Sequence, residues 1–164
     1  MRDKKAIKLN HNDFVEVVKN APLVSIDLIV KNDHNQVLLG LRKNKPAKNY
    51  WFVPGGRILK NERIADAFER IADDELGINL AYKDAEFLGV FEHLYPKNLA
   101  QKQEFGIHYV VLAYQVKLTQ ALPNLPKTQH SRYQWFSKQF LCKDKKVHPY
   151  TRVYFKNDCK NRKL

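Results

Sequence analysis

Apolar positions along the chain recur with two different periods, and their order predicts the fold. Phe14, Val17 and Val18 stand at i, i+3 and i+4 behind Asp13, with Glu16 three residues after it, which is the pattern of a capping box and a first helix. Asn20-Ala21-Pro22 stops that helix. Residues 23–30 (LVSIDLIV) and 37–41 (VLLGL) read as strands joined in a hairpin across a polar loop of five or six residues. A polar stretch over 42–49 leads to Tyr50-Trp51-Phe52-Val53 and then to the turn Pro54-Gly55-Gly56. A second helix is predicted from about Glu62 to Leu76, with Gly77 as its C-cap. Strands follow at 86–95 and 108–118, with a short one at 133–136 and a closing helix from about His148 to Phe155 or beyond. Strands on both sides of one long helix, with helices at the termini, predict an α/β fold: a mixed sheet with helices on its faces.

The second helix carries the first sign of chemistry. At about 100° per residue, Ile64, Phe68, Ile71 and Ala72 share the core face, and Glu75 falls within the same arc. Arg70 and Asp74 lie beside it, while Asp66, Glu69 and Asp73 point to water. A carboxylate on an apolar stripe is costly unless paired or bound to a cation. Helix geometry leaves two readings open: Glu75 is a buried ligand, or it bends to solvent or to an arginine. Pro54-Gly55-Gly56-Arg57 stands about six residues before the helix and can fold back along it. Glycine carbonyls beside a carboxylate suit Mg²⁺. Arg57 and Arg70 suit the oxygens of a diphosphate.

Composition narrows the class. With 164 residues, 44% hydrophobic and 12% aromatic, the chain fits one domain, 1–164, and excludes a disordered polymer. No run approaches the ~20 apolar residues of a membrane helix. No apolar stretch follows Met1-Arg2-Asp3-Lys4-Lys5, so a secretory signal is not expected. Cys142 and Cys159 are too few for a disulfide framework or a zinc cluster, which predicts a soluble, reduced, cytoplasmic protein. The net charge of +12 invites a nucleic-acid-binding reading, strengthened by Lys-rich stretches at 143–146 and 156–163. Against it, residues 51–100 hold nine acidic and six basic side chains, and no RNA-binding aromatic motif or zinc-finger spacing occurs. Nucleic-acid and membrane partners are therefore not expected.

Gly56, Glu62, Arg70, Ala72, Glu75, Gly77 and Ile78 match the pattern G-x5-E-x7-R-E-U-x-E-E-x-G-U, with U aliphatic. The chain thus resembles the Nudix hydrolases over 56–78, with two carboxylates altered to Ile71 and Asp74. The altered box argues against ordinary multi-metal pyrophosphatase chemistry or marks a one-metal variant. The stretches 21–27, 50–57, 108–112, Gln129-His130 and 147–155 extend the resemblance to the GDP-mannose mannosyl hydrolase branch of that family.

The resemblance implies a Nudix-type α/β/α sandwich that hydrolyses GDP-mannose or GDP-glucose to GDP and free sugar, water attacking the anomeric carbon with inversion. It implies one Mg²⁺ per site, Mn²⁺ being the alternative, on Gly55, Glu75 and Gln129. His130 falls on the general base, and Arg57 and Arg70 on the arginines that assist the leaving group. Arg42 and Tyr109 fall on diphosphate contacts, and Asp27 on a sugar contact. Phe14 and the Leu9 segment fall on a nucleotide contact reaching across a homodimer, and the branch suggests polysaccharide metabolism. A Nudix pyrophosphatase, releasing GMP and sugar 1-phosphate, is the competing expectation.

Residue context by itself ranks His130 little above His93, which reads as structural. His11 and His34 read as solvated, His108 as a strand-edge residue and His148 as the start of the last helix. Asp27, alternating with Ser25 and Ile29, also fits a partly buried hydrogen-bonded role.

Overall fold

A computed structural model describes residues 6–96, 105–119, 122 and 124–157. Met1–Lys5, Cys159 and the Lys-rich tail beyond Asn157 lie outside the described residues.

Helix α1 (His11–Asn20) is capped by Asn10, whose side chain accepts the Asp13 amide and donates to the Asp13 carboxylate. The expected box at Asp13/Glu16 is therefore displaced by one turn, because Asn10 already satisfies the first free amides. Val18 is buried, Phe14 half-buried, and Val17, expected inside, is exposed. Strand β1 (Leu23–Lys31) turns into β2 (Val37–Arg42), but the two pair only at Lys31 and Val37. The expected hairpin is thus a neck from which the strands part. β3 (Trp51–Phe52) lies along β2, and β4 (Gly55–Arg57) along β1, both antiparallel. β6 (Ile107–Lys117) runs parallel to β1 from Leu23/Tyr109 to Lys31/Lys117, and β5 (Glu86–Tyr95) borders β6. β7 (His130–Phe136) pairs with β2. The result is a seven-stranded mixed sheet with main order β3-β2-β1-β6-β5.

Alternation along β1 sends its apolar residues to both faces, so two cores form. On one face α2 (Ile64–Leu76) packs Ala67, Phe68, Ile71, Ala72 and Leu76 over Ile26, Leu28, Val30 and Tyr114. On the other, Ile29, Leu39, Trp51 and Ala113 meet Leu141 and Phe155, residues of the chain's last helical region. That region holds α3 (Lys138–Lys143), which the apolar pattern does not foretell, and α4 (Pro149–Val153), shorter than expected. His148 does start α4, its side chain accepting the Tyr150 amide.

Helix α2 starts two residues later than predicted, because Glu62 is engaged elsewhere, and ends as expected at Gly77, whose φ of 67° suits glycine. Ile64, placed in the core by periodicity, sits in the first turn and is 41% exposed; Ala67 and Leu76 complete the stripe instead. Cys142 is disulfide-bonded, correcting the expectation of reduced cysteines; its partner lies outside the described residues. No helix among the described residues is long and apolar enough to cross a membrane.

Phe68 is fully buried and contacts Tyr82 and Tyr114 edge-on, at 5.7 and 5.6 Å between ring centroids. Phe68→Ala is expected to cost about 3–5 kcal/mol. Urea unfolding should show a lower midpoint with an unchanged m-value.

Candidate active site

Where β1 and β2 part, a cleft opens at one end of the sheet. Its wall takes Ser25 and Asp27 from β1, Arg42 from β2, Phe52 from β3 and Gly55, Gly56 and Arg57 from β4. His93 and Tyr95 join from β5, Tyr109 from β6, and Gln129 from the approach to β7. The cleft therefore unites Asp27, Arg42, Gly55, Arg57, Tyr109 and Gln129, which are far apart in the chain. Gly55 must approach β1 closely: a Cβ there would lie 2.5 Å from Asp27 Oδ1 and 2.6 Å from the Ile26 carbonyl oxygen.

Of the readings left open by helix geometry, Glu75 does not take the one in which it bends to solvent. It is 5% exposed, facing inward, and the Gln129 amide donates to its Oε1 at 2.5 Å. His130 Nδ1 lies 3.4 Å from Glu75 Oε2 and 3.2 Å from the Tyr133 hydroxyl. His130 is wholly buried, its Nε2 has no hydrogen-bond partner, and it is not on the cleft wall. Its ring fills the space over Gly40, where a Cβ would come within 2.4 Å of it.

Arg70 also stands apart from the cleft wall. Its Nε and Nη2 donate to Glu62 at 2.6 and 2.9 Å, Nη1 to Asp74 at 3.1 Å, and Nη2 to the Arg57 carbonyl at 2.8 Å. The guanidinium is thereby committed to joining α2 to β4. Phe14 reaches the site within its own chain: its ring lies 3.9 Å below the Arg57 guanidinium, a cation–π contact. Leu9 is 37% exposed and has no place on the cleft wall.

Charges in the cleft are set by burial. Burial pushes Asp27 up to about 7, although Tyr154, donating to it at 2.6 Å, and the nearby Arg42 both favour its charged form. Burial also lowers His93 to about 4, helped by His148, and raises Tyr109 against the pull of Arg57 and Arg42.

His93, read from sequence as structural, is thus a wall residue directly opposite Tyr109 in the β5–β6 ladder. Tyr95, two residues on, shares its side of the strand. Alternation in β5 was a usable signal for that pair, but only the register shows that they face Tyr109.

The donor chemistry bears on which cation the site would suit. Among the described residues no group of three or more His, Cys, Asp and Glu side chains could hold one. Ile71 is buried in the core, Asp74 is exposed beside Arg70, and buried Glu62 is taken up by Arg70, so Glu75 is the buried box carboxylate left without an arginine partner. One carboxylate with the neutral oxygens of Gln129 and a glycine carbonyl fits one hard, partly hydrated cation and not a cluster.

A family model described as NUDIX domain matches residues 21–157, and the chain belongs to the Nudix hydrolases. It is 37% identical over 153 residues to the low-salt glycan biosynthesis protein Agl8 of Haloferax volcanii, covering 93% of this chain and 92% of that protein. The ADP-ribose pyrophosphatase of Methanocaldococcus jannaschii is 37% identical over 70 residues, 43% of this chain and 40% of that one. Among solved structures, the MutT protein of Methanosarcina mazei superposes with a TM-score of 0.68 at 19% identity, covering 88% and 99% of the two chains, which shows the fold. The MutT NUDIX hydrolase of Burkholderia pseudomallei gives 0.66 at 25% identity, covering 84% and 98%. Nudix hydrolases act on nucleoside diphosphate derivatives and generally use Mg²⁺ or Mn²⁺.

The Glu62 side chain is 4% exposed. Burial alone would raise its pKa, but Arg70 and the Leu59 amide outweigh it and hold the carboxyl below 4.5. A depressed carboxylate contributes stability that is present above its ordinary pKa and lost as pH falls through the folded value. Glu62→Gln is expected to lose about 1.5–3 kcal/mol at neutral pH. Thermal unfolding across pH should show the gap between wild type and variant closing in acid.

Proposed function

We propose that the chain hydrolyses GDP-mannose or GDP-glucose to GDP and the free sugar, with water attacking the anomeric carbon and inverting it. The observation that carries this reading is that Glu75 is the one buried box carboxylate not paired with Arg70, since Glu62 is engaged by that arginine and Ile71 is sealed in the core. Attack at phosphorus in this family ordinarily draws on several box carboxylates. The relative named for glycan biosynthesis agrees with a nucleotide-sugar substrate.

In C–O cleavage the diphosphate leaves with negative charge growing on its β-phosphate oxygen. Arg57 and Arg42 stand on the cleft wall to meet that charge, which is the usual largest electrostatic contribution. Phe14 holds the Arg57 guanidinium from one side. Gly55, Glu75 and Gln129 would hold Mg²⁺ or Mn²⁺, which supplies Lewis-acid neutralisation of the diphosphate. Arg70 would act indirectly, by anchoring the Arg57 backbone. Inverting glycosidases usually need a second carboxyl as acid; a neutralised diphosphate leaves without it. Asp27 and Tyr109 bound the sugar and diphosphate ends of the cleft.

His130 is the general base of this scheme, and its buried Nε2 must be exposed to reach the attacking water. His93 is the second candidate, favoured by its place on the wall. A homodimer would cover part of the exposed apolar residues Val24, Val90 and Leu94. Cytoplasmic location then rests on the nucleotide-sugar substrate alone, since Cys142 is disulfide-bonded.

Hydrolysis in ¹⁸O-water is expected to label mannose; label in phosphate would assign the chain to pyrophosphatase chemistry. His130→Gln should lower kcat about 100-fold or more with little change in KM. A near-normal His130→Gln enzyme beside a crippled His93→Gln enzyme would transfer the base role to His93.

A further inference from the structure

Asp27 and His93 are held from behind by a residue to which neither the sequence pattern nor the family resemblance assigns a role. Tyr154, the C-cap of α4, donates its hydroxyl proton to Asp27 Oδ2 at 2.6 Å, and the same oxygen lies 3.2 Å from His93 Nε2. A phenol has one proton to give. While Asp27 is ionised and accepts that hydrogen bond, the oxygen can only accept from His93, so Nε2 carries the imidazole hydrogen. The bonds then run in one direction, from His93 Nε2–H to Tyr154 and from Tyr154 O–H to Asp27. Burial keeps His93 neutral, with its pKa lowered to about 4, and the neutral ring in this tautomer leaves Nδ1 as an acceptor.

The surroundings brace both partners. Tyr150, one helical turn before Tyr154, stacks on the His93 ring with centroids 4.3 Å apart and planes 9° from parallel. Its hydroxyl donates to the Leu94 carbonyl at 2.6 Å and accepts from the Leu94 amide at 2.8 Å, tying α4 to β5. Tyr154 itself meets Phe91 edge-on at 4.8 Å. Thr151 and Phe155 are buried, which fixes the helix under the cleft. The hydroxyl of Tyr154 is therefore a small part of its packing but the whole of the link between Asp27 and His93.

We propose that Tyr154 is a positioning residue for the sugar end of the cleft: its hydroxyl sets the rotamer of Asp27 and the tautomer of His93, so that both meet sugar hydroxyls in one orientation. The part concerning sugar rests on the proposed function; the part concerning the tautomer does not. Loss of one charge-assisted hydrogen bond in Tyr154→Phe should lower kcat/KM for GDP-mannose about 10- to 100-fold, while GDP binds with unchanged affinity in calorimetry. Ring packing is retained, so the thermal midpoint should move little.

The second readout is ¹⁵N NMR of the His93 ring. Wild type is expected as the Nε2–H tautomer, and Tyr154→Phe as a mixture or as Nδ1–H. A wild-type ring in the Nδ1–H form overturns the proposal without any variant. So does a Tyr154→Phe protein with wild-type kcat/KM and an unchanged tautomer. Should wild type hydrolyse no GDP-sugar, the functional reading fails by itself, and the tautomer measurement still decides whether Tyr154 sets His93.

Discussion

The site depends on one guanidinium. Arg70 leaves α2 and binds Glu62 before the helix, Asp74 within it and the backbone carbonyl of Arg57 on β4. Those contacts hold the glycine strand against the helix that supplies Glu75. They add a polar tie to the pairing of β4 with β1 and the packing of Ile71 on Gly56, which together set the glycine strand against α2. The ion pair is shielded on the Glu62 side, at 4% exposure, which makes it stronger than a surface pair. Arg70 thus reaches the cleft through the Arg57 backbone carbonyl.

A second constraint comes from the parting of β1 and β2. A hairpin that stayed paired would bury Asp27 and Arg42 against one another's strands. Here the strands diverge after Lys31/Val37, β4 takes the place beside Asp27, and β3 the place beside Gly40 and Leu41. The opened end gathers an acid and two cations, Asp27, Arg42 and Arg57, in one concave wall. Desolvation there raises Asp27 to about 7, so its buried carboxylate is tolerated only with Tyr154 and Arg42 beside it. Closure of the back wall by the last helix is what makes that tolerable.

Much of this was legible in residue order. The strands at 23–30, 37–41 and 86–95 and the end of α2 at Gly77 lie where hydrophobic period and turn residues put them. The inward position of Glu75 was one of the two readings that its angle on the helix left open. Other features were not legible, for reasons that are local and physical. Asn10 outcompeted Asp13 as cap because it stood first in line for the free amides. Ile64 stands at the first residue of α2 and stays exposed, while Ala67 and Leu76 fill the core stripe. Helix α3 is short and carries Leu141 as its buried residue, too weak a period to detect.

Within the chain's own order lay the α/β class, the Nudix pattern over 56–78 and the residues that could carry charge or bind oxygen. Such properties are local: they depend on period, spacing and side-chain chemistry. Which residues share a cleft was decided by the tertiary structure alone, because strand register couples positions as distant as Asp27, His93 and Tyr154. Register put His93 on the wall and His130 behind it, turned Arg70 into a clamp, and brought the last helix under Asp27. No local pattern encodes those outcomes, since they depend on how separate segments pack and on which polar atoms remain to be satisfied once the cores have closed.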